Sequence, residues 1–359
     1  MDDNRVFTIP GDEIAYKDMS LEQLEKLMFE IGEKNFRAKQ VAKWLFQHGV
    51  NSLDEMTDLP VTLRARLKKI GHAGGLAVLK KQVSQQDGTR KYLFGLHDGN
   101  AVEGVLMSYR HGFTACVSSQ VGCRMACKLC ASGLGGLVRN LSSGEIYDQV
   151  LAMQKDVGMR IRNVVLMGSG EPLDNYDHVI SFIKKINAEY GLNISYRHIT
   201  LSSCGLVPQI KSLSEEKMPI TLAVSLHAPN NRLRNLLVPI NKKYSLQELL
   251  SACAHYAGVT GRRITFEYAL IADLNDTQEL AEELAEKLKK LLCLVNLIPA
   301  NPVPERGIER TTKTKVVRFK TILEAKGVNV TVRRELGTDI DAACGQLRRR
   351  VLGRKSRYE

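Results

Sequence analysis

Residues 163–205, NVVLMGSGEPLDNYDHVISFIKKINAEYGLNISYRHITLSSCG, decide the fold. A short apolar run, NVVLMG (163–168), meets a glycine-rich turn. The stretch YDHVISFIKKINAEYG then repeats its apolar residues at helical spacing, and a second apolar run, HITLSS (198–203), follows. Strand, loop, helix and strand at this length form a crossover unit, which predicts parallel neighbours in one sheet. The rhythm extends outward on both sides. TACVSSQ (114–120), ITLAVS (220–225), RITFEYAL (263–270) and CLVNLIP (293–299) are further candidate strands. GEIYDQVLAMQKDVG, SLQELLSACAHYAG and TQELAEELAEKLKKL are helical stretches between them, and VVRFKTILEAKG with VNVTVRR adds one more helix and strand. Six strand–helix units predict an α/β fold, a parallel sheet open or closed into a partial barrel. In such folds the working residues sit on loops at the carboxyl ends of the strands. GCRMACKLC (122–130), GSGEP, SSCG, SLHAPN and PANPVP fall on those loops, so they are expected to converge on one pocket.

Ahead of this region, SLEQLEKLMFEIG (20–32), FRAKQVAKWLFQHG (36–49) and VTLRARLKKIG (61–71) read as helices, the first capped by Ser20 and the last two ending at a glycine. The expected division is a helical unit over 1–75, a connecting β segment over 76–99 (with AVLKKQVSQ and RKYLFGL), the main domain over 100–347 and a basic tail over 348–359.

Composition limits the function classes. The chain has 359 residues, 44% apolar and 25% charged, which is ordinary for a globular protein. No apolar run approaches the roughly 18–20 residues that span a membrane. The opening MDDNRVFTIPGDE lacks the basic start and apolar stretch of a signal peptide, so the expected compartment is the cytoplasm, with no membrane partner. Thiols stay reduced there, so the eight cysteines are not read as a disulfide framework. Cys253 and Cys293 lie in apolar periodic runs and read as core residues. A net charge of +12 favours a polyanionic partner, since each neutralised phosphate releases counterions. An uneven surface explains the charge equally well. It is concentrated in RRIT (262–265), RFKTILEAK (318–326) and LRRRVLGRKSR (347–357).

The cysteines of GCRMACKLC follow the spacing C-x3-C-x2-C, a density of thiolates that binds zinc or an iron–sulfur cluster. Structural zinc wants a fourth Cys or His close by, and none follows within the next dozen residues. Three thiolates on a 4Fe–4S cluster leave one iron open to a substrate. Other residues stay open on sequence alone. Cys344, beside Asp339 and Asp341 in DIDAACGQL, reads as a buried thiol as readily as a reactive one. Cys116 fits a core strand, Glu103 a surface charge and His227 a plain loop histidine. A non-catalytic RNA-binding protein with a metal cluster is the reading from another class.

The triplet Cys123, Cys127 and Cys130 resembles the signature of the radical SAM superfamily, with Leu129 where an aromatic residue is usual. That resemblance implies a radical SAM partial (β/α)6 barrel and a 4Fe–4S cluster whose open iron chelates S-adenosylmethionine, which is then cleaved to a 5′-deoxyadenosyl radical. ACVSSQVGCRMACKLCASGLGGLVRNLSSGEI, MGSGEPLDN, SLHAPN, NLIPANPVPE and DIDAACGQL resemble, in that order, the RlmN/Cfr family of rRNA methyltransferases. FRAKQVAKWLFQHGVNSLDEMTDLP resembles their N-terminal helical domain, and Gly170-Glu171-Pro172 is more like RlmN than Cfr. The resemblance implies a methyl group carried on Cys344, product release by Cys116 through a disulfide, and Glu103 as a proton acceptor. It also implies S-adenosylmethionine contacts at Gly170, Glu171, Ser202, Ser225, Leu226, His227 and Asn301, beside departures at Ser169 and Cys204. Two molecules of S-adenosylmethionine per turnover, an electron donor such as flavodoxin or ferredoxin, and 23S rRNA with tRNA as a second candidate complete the expectation. The reaction is methylation of adenosine at carbon 2, or at carbon 8 if the enzyme is Cfr-like.

Overall fold

The structure, a computed structural model, describes residues 14–300, 308–334 and 336–340. Strand β1 (Ile14–Ala15) leads to helix α1 (Leu21–Glu30), which begins at Ser20. The Ser20 hydroxyl accepts the Gln23 amide while the Gln23 side chain accepts the Ser20 amide, satisfying two otherwise orphaned donors. Helix α2 (Phe36–Lys43) widens into a π turn over Trp44–His48, which Gly49 ends at φ +63. Helix α3 (Val61–Ile70) stops at Gly71, though without a left-handed cap. Gly71 is extended and opens strand β2 (Gly71–His72), which pairs with β1. A Cβ at Gly71 would lie 2.0 Å from the Ile14 carbonyl oxygen, so close pairing explains the glycine.

These helices share the core of the main domain. The Tyr16 hydroxyl donates to the Leu67 carbonyl, and the Tyr147 hydroxyl donates to the Phe46 carbonyl. Lys17, 1% exposed, sits 2.5 Å from the Asp148 carboxylate. Lys185 donates to the Lys17 and Asp18 carbonyls and to the Ser143 hydroxyl. One apolar core runs from Tyr16 to Val328.

Strands β3 (Ala77–Val83), β4 (Arg90–Gly95) and β5 (Ala101–Tyr109) form an antiparallel arm joined to β6 (Gly112–Cys116). A small hairpin of β7 (Gln120–Gly122) and β8 (Leu137–Asn140) precedes helix α4 (Ser143–Val157). The chain then alternates: β9 (Ile161–Leu166), α5 (Tyr176–Asn187), β10 (Ile199–Ser203), α6 (Val207–Glu215) and β11 (Thr221–Ser225). It continues through α7 (Asn231–Leu237), α8 (Leu246–Thr260), β12 (Ile264–Leu270), α9 (Gln278–Leu288), β13 (Cys293–Pro299), α10 (Lys313–Ala325) and β14 (Val330–Val332). The main sheet runs β14-β13-β12-β11-β10-β9-β6-β5-β4-β3, parallel from β14 to β6. Among the described residues no helix is long and apolar enough to cross a membrane.

The strand expected over 114–120 ends at Cys116. Val117 still bonds Val165, but the carbonyl of Ser169 takes the amides of Ser119 and Gln120 and draws the chain out of the sheet.

Register separates two faces, because successive side chains alternate. Cys116 lies opposite Val105 and Val165; Thr200 lies opposite Val165 and Thr221; Ser225 lies opposite Glu267. Glu103, Cys116, Ser202, Ser225, Glu267 and Asn296 therefore share one face. The other face carries Leu201, Leu222, Val224, Phe266, Tyr268 and Leu297, all fully buried, and the helices cover it. The Tyr268 ring, for example, packs 5.2 Å from that of Phe319 on α10.

The sheet curls toward the polar face. The Arg333 amide bonds Leu297 on β13, while the Gly337 amide bonds Asp87 in the turn between β3 and β4. Seven strand spacings separate β13 from β4, about 34 Å if the sheet were flat. Four residues reach about 15 Å. The two edges must approach each other, as in a partial barrel.

Candidate active site

Four of the five expected loops meet, through a chain of hydrogen bonds, while most of PANPVP lies outside the described residues. The cysteine loop springs from the β7–β8 hairpin, where Gly122 has φ +81 and a Cβ would lie 2.0 Å from the Gly136 carbonyl. The Cys123 amide bonds that same carbonyl at 2.9 Å. Ala126 turns the loop at φ +54, and the Cys130 amide returns to the Cys127 carbonyl. Cys123 is buried and Cys127 and Cys130 half-buried, while Arg124 and Lys128 point outward. Leu129 packs on the core.

GSGEP packs directly against residues 117–120. A Cβ on Gly168 would lie 2.6 Å from the Ser118 hydroxyl, and one on Gly170 2.7 Å from the Ser119 hydroxyl. Gly170 also has φ +108, so glycine is required twice over. The Glu171 amide bonds the Gln120 side chain. Its buried carboxylate accepts the Leu173 amide at 3.1 Å and the Cys204 amide at 2.7 Å. Burial pushes its pKa up, while the amides favour the charged form. These amide donors occupy only part of the carboxylate's acceptor capacity, so oxygen lone pairs remain for a cationic ligand.

Arg234 on α7 joins the next two loops. It is fully buried, and its Nη2 donates to the Cys204 carbonyl at 2.7 Å and the Ser225 carbonyl at 3.1 Å. Nη1 donates to Asn241, while Nε has no partner among the described residues. Sequence reading missed this residue: an arginine in NRLRNLL looks like a surface charge. The Lys128 amide bonds the Leu237 carbonyl at the end of α7, bringing the cysteine loop to the same helix.

His227 follows β11 at φ +59. Its amide bonds the Glu267 carbonyl, and its Nδ1 accepts the Ala269 amide at 3.0 Å. A ring nitrogen that accepts from an amide is unprotonated. Burial, with the Arg234 charge adding to it, pushes the His227 pKa down to about 3. The imidazole is neutral and its Nε2 carries the proton.

Glu103 and Cys116 stand on adjacent strands of the polar face. The Glu103 carboxylate pairs with buried Lys91 at 3.7 Å, and its carbonyl accepts the Ser118 hydroxyl. Glu103 is thus a buried ion-pair member, where sequence alone suggested a surface charge. Ser202 faces the same interior. Asn301 and Cys344 lie outside the described residues.

The donor set fits an iron–sulfur cluster. Among the described residues no group of three or more His, Cys, Asp or Glu side chains is gathered to hold a single metal ion. The fit lies in the donors themselves: three thiols on one loop, one buried and two half-buried, are the soft ligands such a cluster takes. Burial pushes the Cys123 thiol up to about 12; Cys127 is lowered, chiefly by a hydrogen bond from Cys204, with Arg234 also favouring its thiolate.

Residues 15–72 match the ribosomal RNA large subunit methyltransferase N-terminal domain, and residues 117–285 match the radical SAM superfamily. A relative in Pelotomaculum thermopropionicum, named probable dual-specificity RNA methyltransferase RlmN, is 58% identical over 96% of this chain and 94% of its own length. One of the same name in Desulforamulus reducens is 56% identical over 95% of this chain and 97% of its own. The crystal structure of a radical SAM methyltransferase from Sphaerobacter thermophilus superposes with a TM-score of 0.88 at 44% identity, covering 93% of this chain and 98% of that one.

Proposed function

The chain belongs to the RlmN family of radical SAM RNA methyltransferases, and from that premise we propose that it methylates carbon 2 of a specific adenosine in 23S rRNA and also acts on tRNA. Enzymes of this family use a 4Fe–4S cluster and two molecules of S-adenosylmethionine per turnover. The observation that carries the proposal is the nearly full-length likeness to relatives whose names give dual-specificity RNA methylation.

In this reading Cys123, Cys127 and Cys130 hold the cluster, and the loops from Gly170 to His227 hold S-adenosylmethionine with Asn301. Together, when bound, the two supply a carbon-centred radical. Glu171 accepts hydrogen bonds from the ammonium of S-adenosylmethionine. Cys344 works as a thiolate: its sulfur forms a bond to the methyl carbon as the sulfonium bond to that carbon breaks. Once the radical has taken a hydrogen atom from it, that carbon would add to carbon 2 of adenine, tethering the RNA to Cys344. Glu103 would accept the proton that carbon 2 then loses, as the remaining electron returns to the cluster held by Cys123, Cys127 and Cys130. The Cys116 thiolate then attacks the Cys344 sulfur. A disulfide forms, the bond from sulfur to carbon breaks, and the carbon takes the electron pair and a proton to become a methyl group. A flavodoxin or ferredoxin is the proposed electron donor.

Adenosine must leave its stack to reach a recessed polar face, so the target is single-stranded or loosened. Exposed Lys26 on α1, Lys34 in the turn after it, Lys39 and Lys43 on α2, and Lys68 and Lys69 on α3 are the proposed phosphate contacts. We assign residues 1–75 as the RNA-binding unit, 76–99 as connector, 100–347 as the radical SAM core, 348–359 as a basic tail, and the cytoplasm as compartment. Nucleoside mass spectrometry of rRNA and tRNA treated with the reconstituted enzyme tests this. 2-Methyladenosine is expected in both; 8-methyladenosine alone would place the enzyme with Cfr-type chemistry, and unmodified tRNA would remove the second substrate.

A further inference from the structure

The turn between β3 and β4 (84–89) is built as a receptor for another part of the chain. Ser84, 3% exposed, takes the Gln86 and Asp87 amides on its hydroxyl oxygen, and its own amide bonds the Thr89 carbonyl. The Asp87 carboxylate takes the Thr89 amide at 2.9 Å. Those bonds fix the turn. Two further groups then reach across the seam of the barrel. The Ser84 hydroxyl donates to Asp339 at 2.7 Å, and the Gln85 amide donates to the other Asp339 oxygen at 2.9 Å. In return the Gly337 amide donates to Asp87 at 2.8 Å. Three hydrogen bonds, two of them from backbone amides and all to carboxylates, hold residues 337–339 in one register. Ile340, 8% exposed, is buried immediately after them.

The position of this latch in the sequence gives it a purpose. It follows β14, at one edge of the sheet, and grips β3–β4, at the other. Cys344 comes four residues after Ile340, a reach of at most about 15 Å. Lys91, Glu103 and Cys116 lie on β4, β5 and β6, beside the turn that does the gripping. A carrier thiol on a terminal segment must be brought repeatedly to the same place, and fixing its start lowers the conformational search.

We propose that Asp339 and Asp87, acting with Ser84, are positioning residues for the Cys344 methyl carrier: they fix residues 337–339, from which the chain runs on to Cys344, against the β3–β4 turn. The proposal rests on the reading of Cys344 as methyl carrier. Asp339 touches no reacting atom; it acts through the segment it anchors.

The test uses the reconstituted full-length enzyme and S-adenosylmethionine, with Asp339→Ala and Asp87→Ala beside the parent. Peptide mass spectrometry reads the fraction of Cys344 that is methylated, and cluster absorbance and S-adenosylmethionine cleavage are read in the same samples. Each variant is expected to lose at least fivefold in methylated Cys344 while cluster content and cleavage stay within twofold. Parental methylation in both variants would overturn the proposal, and so would methylation, cluster content and cleavage falling in step. Cys344→Ala separates the two claims, because RNA methylation by that variant would sink the carrier reading alone. The latch is then read by alkylation of Cys344 with iodoacetamide in the other variants. At least a threefold faster rate is expected, and an unchanged rate would overturn the latch.

Discussion

The two faces of the central sheet come from the same strands, one residue out of step, yet they do different work. The convex face is Leu201, Leu222, Val224, Phe266, Tyr268 and Leu297, sealed under helices. The concave face is Glu103, Cys116, Ser202, Ser225, Glu267 and Asn296. Glu267, with burial raising its pKa, accepts from the Asn296 side chain at 2.9 Å. Apolar burial holds one face together, while hydrogen bonds and ion pairs order the other. The convex face should therefore answer to stability measurements and the concave face to chemistry.

The largest break in that contrast is at the rim of the concave face. Cys123→Ala should abolish cluster absorbance and S-adenosylmethionine cleavage together; full cleavage by this variant would refute the cluster assignment. On the convex side, Phe266→Ala opens a cavity and should cost about 3–5 kcal/mol in urea unfolding. Activity per folded molecule should hold. A loss of activity with stability intact would mean that the faces are not separable.

A pH series sharpens the contrast further. The folded His227 has its pKa depressed to about 3, and the unfolded chain binds its proton at the ordinary value near 6.5. Between these values the unfolded state holds more protons, so stability is present above about pH 6.5 and is lost as the pH falls toward 3. His227→Gln should show a shallower acid loss. Parallel urea midpoints for the two proteins from pH 6.5 to 4 would contradict the buried, neutral imidazole. The smallest effect is expected for Ser202→Ala: stability within about 0.5 kcal/mol, and a KM for S-adenosylmethionine raised roughly two- to tenfold. An unchanged KM would take Ser202 out of the cofactor site.

The convex face was the more legible in sequence. The short apolar runs ITLAVS and CLVNLIP and the helical spacing in YDHVISFIKKIN placed β11, β13 and α5. Short helices escaped: α6 and α7 have nine and seven residues, too few turns for periodicity to stand out. The cysteine spacing marked the rim loop, because few other arrangements of three thiols make chemical sense. What could not be read was the partner of each polar residue. Arg234 is set inside the site by loops from Cys204 and Ser225, and Glu103 is paired to Lys91 by strand register. Both relationships depend on distant pieces of chain meeting in space. The turn at 84–89 belongs to the same class, since Asp87 finds its partner 250 residues away.

The most direct test of the proposed two-thiol chemistry is a denaturing gel of Cys116→Ala after reaction with labelled RNA. The account predicts label migrating with the protein, absent from the parent enzyme and from Cys116→Ala/Cys344→Ala. Free, normally methylated RNA from Cys116→Ala would contradict it.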